Sequence, residues 1–302
     1  RRVTGAGPTS GLAALGIAPD IVCGTSIGAL VGGAYACGQI DELGAWFSRM
    51  TTADVFRYLD ISPLSRGGVG SASRLIGHLR DRFGSPLIEN LPMPFAAVAT
   101  DLATGRELWI QRGDLWDAVR GSIAIPGLLS PARVEGRWVV DGGLVNPVPV
   151  SVCRALGADL IIAVNLNSDL GGRQQARVSR GREPRAVAEK GEAGLFDRLA
   201  TGIREKTPPQ IAQWLDSDQQ KSPDDDTPGI FNVVANAINI MQDRITRSRL
   251  SGEPADILIS PRLSHIGLLD FDAAAAAIDA GRAEVRQFSA MIAETIATSR
   301  PL

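Results

Sequence analysis

Residues 20–38, DIVCGTSIGALVGGAYACG, constrain the fold of this chain more than any other stretch. Ile21, Val22 and Cys23 form a short apolar run of the kind that makes a buried strand. Residues 27–37 contain no proline and read as a helix. Between them Gly24-Thr25-Ser26-Ile27-Gly28 spells G-x-S-x-G, which places Ser26 on a sharp strand-to-helix turn. Glycines two residues before and after the serine let strand and helix cross closely, and Gly32, Gly33 and Ala34 keep the helix slim enough to pack tightly on a sheet.

A serine hydroxyl becomes a nucleophile only when a base takes its proton and the oxyanion that follows is stabilised. The turn exposes the hydroxyl in a strained backbone, and the helix dipole favours negative charge beside it. The same five residues also describe a serine that simply caps a helix. A partner for Ser26 therefore has to be found elsewhere in the chain.

Only two histidines exist, His78 and His265. His78 lies among arginines in RLIGHLRDRFG and reads as a surface residue of an amphipathic helix. His265 follows SPRLS, far from the first half of the chain. The stronger candidate is Asp141 in RWVVDGGLVNPVPV, at the end of an apolar strand and followed by Gly142 and Gly143. A carboxylate buried there has to be well bonded or functional, and burial would raise its pKa and make it a better base.

The surroundings of these two motifs indicate an α/β fold. Strand candidates at 21–23, 95–100, 107–111, 137–140 and 159–166 alternate with helical stretches at 27–37, 41–50, 72–83, 115–121 and 149–156. Such alternation implies three layers, with helices on both faces of a central, mainly parallel sheet. Residues 169–228 are polar, charged and rich in chain breakers, and read as a mobile insertion in a single domain spanning 1–302. Its position suits either a lid over a pocket, with Trp214 and Leu215 in QIAQWL as apolar contacts, or a plain linker. A helix over 230–250 places Phe231, Val234, Ala237, Ile238, Met241 and Ile245 on one face, expected to be its core face. A short strand at 257–260 and a last helix near 272–297 follow.

At this point the sequence resembles the patatin-like phospholipases, in the bacterial branch related to neuropathy target esterase. DIVCGTSIGALVGGAYACG is similar to the family's nucleophile motif and WVVDGGLVNPVPV to its D-G-G/A motif; AVATDLATGRELWI and AVRGSIAIPGLLSPARVEG resemble the segment between. The resemblance covers roughly 20–167, and SPRLSHIGLLDF near the end also looks like this branch. It implies a patatin-like fold, with Ser26 as nucleophile and Asp141 as its base in a dyad without histidine. It implies hydrolysis of a phospholipid or other lipid ester through an acyl-enzyme, without metal or cofactor. The family's Gly-rich oxyanion loop, G-G-G-x-R/K-G, has its counterpart here in Gly5-Ala6-Gly7, without the arginine. Two other readings stay open: a non-catalytic lipid-binding or regulatory protein with a decayed oxyanion loop, and a triad esterase using His265.

Composition narrows the rest. A net charge of −2 gives no case for nucleic acid. Three cysteines, Cys23, Cys37 and Cys153, form no disulfide framework and no C-x-x-C spacing, and read as small buried residues in a reducing compartment. No apolar run reaches the ~20 residues of a membrane span and no signal peptide is visible. The expectation is a cytoplasmic protein with room for peripheral contact at the inner membrane face, where Arg244, Arg247 and Arg249 could meet anionic headgroups. SRGGVGSASRLIG (65–77) lacks a P-loop lysine and reads as a flexible loop. Asp224-Asp225-Asp226 reads as a solvated loop and not as a metal site.

Overall fold

The computed structural model describes residues 8–60, 68–168, 230–263, 266 and 273–299. Gly5-Ala6-Gly7, the insertion at 169–228 with Trp214, Leu215 and the acidic run, and His265 lie outside the described residues.

The first half runs α1 (Pro8–Ala14), β1 (Val22–Thr25), α2 (Ile27–Ala36), α3 (Ile40–Phe47), α4 (Thr52–Leu59), β2 (Gly68–Gly70) and α5 (Ser73–Phe83). It continues with β3 (Phe95–Asp101), β4 (Glu107–Ile110), α6 (Leu115–Ser122), β5 (Gly127–Leu129), β6 (Ala132–Val134) and β7 (Arg137–Asp141). After a single 3-10 turn at Gly142–Leu144 come α7 (Val150–Ala155), β8 (Ile162–Val164), α8 (Ile230–Gly252), β9 (Ile257–Ile259), α9 (Ala274–Gln287) and α10 (Ser289–Ser299).

The centre of the molecule is β3, buried along its whole length. Its residues alternate between two cores, as the two-residue period of a strand requires. Phe95, Ala97 and Ala99 face the main core with Ala29, Leu30, Leu115 and Val119 from α2 and α6. Ala96 and Val98 face the other way, onto Val152 of α7. Helices thus cover both faces, and the fold is the three-layer α/β/α arrangement.

The sheet is mixed, where mainly parallel pairing was expected. β1 pairs with β3 in parallel, but β4 and β7 pair with β3, and β6 with β7, in antiparallel fashion. For β3–β4 and β6–β7 the cause is local, since each pair is joined by a link too short for a parallel crossover. Two parallel pairs, β2–β5 and β8–β9, form separate small sheets. The link between β6 and β7 is a two-residue turn, Glu135 and Gly136, both at positive φ (49° and 79°). This is the turn whose twist suits a hairpin.

Other expectations shift for equally local reasons. Residues 52–59 form a helix that its own capping box starts: Thr51 accepts from the Asp54 amide while Asp54 accepts from the Thr51 amide. Gly68–Gly70, within the stretch taken for a flexible loop, is strand β2, paired with β5. The helix expected over 272–297 divides at Phe288, so that Val285 and Ile292 both enter the core around β9 with Leu12 of α1. The three cysteines are free and half-buried, and Cys23 and Cys153 are close enough to influence each other's thiols. The neighbouring Cys153 thiol, together with burial, pushes the Cys23 thiol well above its usual range.

Glu135 holds a left-handed conformation that asparagine adopts more readily. Glu135→Asn is expected to stabilise the protein by about 0.5–1 kcal/mol, read as a higher urea midpoint. An unchanged or lower midpoint would show that this hairpin turn carries no strain.

Candidate active site

The site forms where two strands end on the same neighbour. β1 runs parallel to β3 and ends with Thr25 opposite Val98; β7 runs antiparallel to β3 and ends with Asp141 opposite Ala99. The two strands therefore approach one another head-on along β3, and their last residues lie opposite adjacent positions. The next residue of the first strand is Ser26. Its hydroxyl donates a 2.6 Å hydrogen bond to Asp141 Oδ2.

Ser26 sits at φ 56°, ψ −126°, a conformation that a non-glycine residue holds only when its surroundings impose it. Gly24 is one imposing feature: a Cβ there would run into the Gly28 carbonyl, so α2 can fold back on β1 only over a glycine. Gly142 plays the matching part on the other strand, since a Cβ would strike the Val98 carbonyl. Gly28, by contrast, has open space beside it. Gly143 leaves room for the Gln242 amide, and its own N–H donates to Asp141 Oδ1 at 2.6 Å.

Asp141 is 1% exposed. Burial raises its carboxyl to about 6, and the hydrogen bonds from Ser26 and from the Gly143 amide hold it back from rising further. A carboxylate of that basicity, already bonded to a hydroxyl, can accept its proton near neutral pH. Ser26 is only partly buried and so remains reachable. The α2 N-terminus, whose first amides have no intrahelical acceptors, abuts it and favours negative charge.

Several supporting residues escaped the sequence reading. Ser122, at the end of α6, accepts the Ser26 N–H at 2.9 Å and donates to the Val98 carbonyl at 2.6 Å. Thr25 donates to the Asn146 carbonyl at 2.7 Å, and the buried Asn146 amide donates to Glu107 (2.7 Å) and Ser151 (3.1 Å). Arg249 of α8 pairs with Glu107 at 2.7 Å. Gln242 of α8 accepts from Asn167 at 3.0 Å beside the D-G-G turn. Thr25 and Asn146 adjoin the two motifs in the chain, whereas Ser122, Glu107, Gln242 and Arg249 lie far from both and carry no signal in the sequence for these contacts.

His78 is not on an exposed face. It is half-buried and stacked on Trp46 (4.6 Å between ring centroids), with Tyr58 alongside. Burial, then the nearby arginines Arg82 and Arg57, lower its pKa. Among the described residues, the groups bonded to the Asp141 side chain are Ser26 and the Gly143 amide, with no imidazole. No group of three His, Cys, Asp or Glu among the described residues could hold a metal ion.

A family model described as patatin-like phospholipase matches residues 4–154, a span that includes both Ser26 and Asp141. The chain belongs to the patatin-like phospholipase family. An NTE family protein of Mycobacterium tuberculosis is 35% identical over 302 residues, covering 88% of this chain and 82% of that protein. A second NTE family protein, of Mycobacterium bovis, is 31% identical over 275 residues, covering 90% of this chain and 41% of that protein. Patatin-like phospholipase domain-containing protein 7 of Rattus norvegicus is 32% identical over 166 residues, 52% of this chain and 12% of the rat protein.

In this patatin-like site the buried carboxyl has a consequence for stability. Its folded pKa, about 6, lies above its ordinary value of 3.8. The folded state therefore binds the proton more tightly than the unfolded state, and the stability that this proton brings is lost as pH rises from about 4 through 6. Asp141→Asn carries no such charge. Its unfolding free energy relative to wild type is expected to improve by on the order of 2–3 kcal/mol between pH 4 and pH 8. Urea unfolding at the two pH values measures this, and a pH-independent difference would contradict the raised carboxyl.

Proposed function

We propose that the protein hydrolyses carboxylic ester bonds of lipids through a Ser26–Asp141 dyad. The observation that carries this reading is the 2.6 Å hydrogen bond from a strained, accessible serine to a buried, basic carboxylate. Membership of the patatin-like phospholipase family supports lipid esters as the substrate class.

In the first half-reaction Asp141 Oδ2 takes the hydroxyl proton as Ser26 Oγ attacks the acyl carbonyl carbon. The carbonyl electrons move onto oxygen, next to the α2 N-terminus. When the intermediate collapses, the ester C–O bond breaks and the proton held by Asp141 passes to the departing alcohol. In the second half Asp141 takes a proton from water, hydroxide oxygen adds to the acyl carbon, and Ser26 leaves with the proton returned. The products are a fatty acid and an alcohol, such as a lysolipid. Gly5-Ala6-Gly7 remain the sequence's candidates for further oxyanion donors.

α8 supports a peripheral contact with the lipid surface. Its inner face, Ile238, Asn239, Gln242 and Thr246, is turned to the protein, while Val233, Val234, Ala237, Ile240 and Met241 form one exposed stripe. The expected core face holds at Ile238, which is buried, but Val234, Ala237 and Met241 point outward. Arg244 extends the stripe; Arg247 and Arg249, expected beside it, are paired with Asp243 and Glu107. An apolar stripe leading into a cation suits an anionic bilayer surface. No helix among the described residues is long and apolar enough to cross a membrane.

A fluorophosphonate probe should label wild type at Ser26, located by peptide mapping. Ser26→Ala should lose all labelling, Asp141→Asn should lose roughly 10³-fold or more in ester hydrolysis, and His78→Ala should stay within about 3-fold of wild type. A folded wild type that no ester or probe engages would favour the non-catalytic lipid-binding reading.

On anionic vesicles, Ile240→Asp combined with Met241→Asp should weaken sedimentation at least ~10-fold while leaving turnover of a short, water-soluble ester intact. Undiminished sedimentation would remove α8 from the membrane contact.

A further inference from the structure

We propose that Ser122 is a positioning residue for Ser26: its buried hydroxyl clamps the Ser26 amide to the Val98 carbonyl and so holds the elbow in the one conformation that brings Ser26 Oγ onto Asp141. The proposal rests on the reading of Ser26 as the nucleophile.

The clamp sits at a seam. Along one edge of β3 the ladder with β1 reaches Val98, and the ladder with β7 begins at Ala99. Ser26 follows the last residue of β1 and turns away at φ 56°, so its N–H has no strand partner. α2 does not need that N–H, because helical bonding begins with the Ser26 carbonyl as acceptor for Ala29 and Leu30. An N–H left unpaired at such a turn would favour another backbone conformation. Ser122 supplies the partner.

The proton on Ser122 has one place to go. The Val98 carbonyl can only accept, so the hydroxyl donates to it at 2.6 Å, and its lone pair receives the Ser26 N–H at 2.9 Å. Ser122 is 0% exposed, so water does not compete with either bond. Three elements, β3, α6 and the elbow, are tied together through one oxygen atom. Two consequences follow. Ser122 is committed as donor and is no alternative nucleophile. The Ser26 N–H is committed as well, so the oxyanion has to be received by amides other than that of the nucleophile itself.

The effect should fall on the chemical step and not on substrate affinity, because the Ser122 hydroxyl bonds only two backbone groups, the Ser26 amide and the Val98 carbonyl. Ser122→Ala is expected to lower kcat for a soluble ester roughly 10- to 100-fold with KM within about 2-fold, and to slow fluorophosphonate labelling of Ser26 by the same factor. Ser122→Thr keeps the hydroxyl and should recover most of the loss. A merely structural serine would lower Tm in the alanine variant but leave kcat of the folded protein unchanged, and a folded Ser122→Ala within about 2-fold of wild-type kcat overturns the proposal. Should neither variant fold, amide hydrogen exchange on wild type decides. The Ser26 amide should be strongly protected, and exchange at the rate of an open turn overturns the clamp. Absence of wild-type labelling at Ser26 would instead refute the nucleophile, while the amide measurement still reads the clamp.

Discussion

The arrangement on which the rest of the structure depends is the end-to-end meeting of β1 and β7 against β3. Two strands of opposite direction share one edge of a third, and the seam falls between Val98 and Ala99. Each incoming strand must leave the sheet there, because the other blocks its path. The chain leaves through Ser26 on one side and Gly142 on the other, and the two exits bring a hydroxyl and a carboxylate to 2.6 Å. Opposite strand directions are essential: in a wholly parallel sheet the two C-terminal ends could not converge along one edge.

This convergence is costly, and the surrounding structure offsets the cost locally. A non-glycine residue at positive φ and a carboxylate at 1% exposure each oppose folding. Against them stand bonds from Gly143 and Ser26 to Asp141, from Ser122 to the elbow, and from Thr25 to Asn146. The last leads outward through Glu107 to Arg249 on α8, so a helix late in the chain braces a turn near its beginning. Small residues do the remaining work. Gly32 lets α2 approach Val22 of β1 and Phe95 of β3, Gly33 lets it approach Leu115 and Val119 of α6, and with Ala97 and Ala99 they enclose the strained turn in a dense core.

α8 shows how periodicity can mislead. Its apolar residues recur at helical spacing, yet the face turned to the protein carries Asn239, Gln242 and Thr246 beside Ile238. The helix packs beside the D-G-G turn, where Gln242 accepts from Asn167, and its apolar stripe is left outside. An amphipathic pattern reports two faces and does not say which of them meets the protein.

What the sequence determined by itself was local chemistry: a serine between glycines after an apolar strand, an aspartate before two glycines after another, and enough alternation of strand and helix to require a layered α/β fold. These survive because they depend on steric facts within a few residues, such as the clash a Cβ at position 24 would cause with the Gly28 carbonyl. What only the tertiary structure decided was everything set by register and direction. Hairpin links made the sheet mixed, His78 was drawn into an aromatic stack, and Ser122, 96 residues from Ser26, was placed at the seam to hold it. Hydrogen-bond partners so far apart in the chain leave no periodic trace, because the distance between them is fixed by how strands are shared and not by spacing along the backbone.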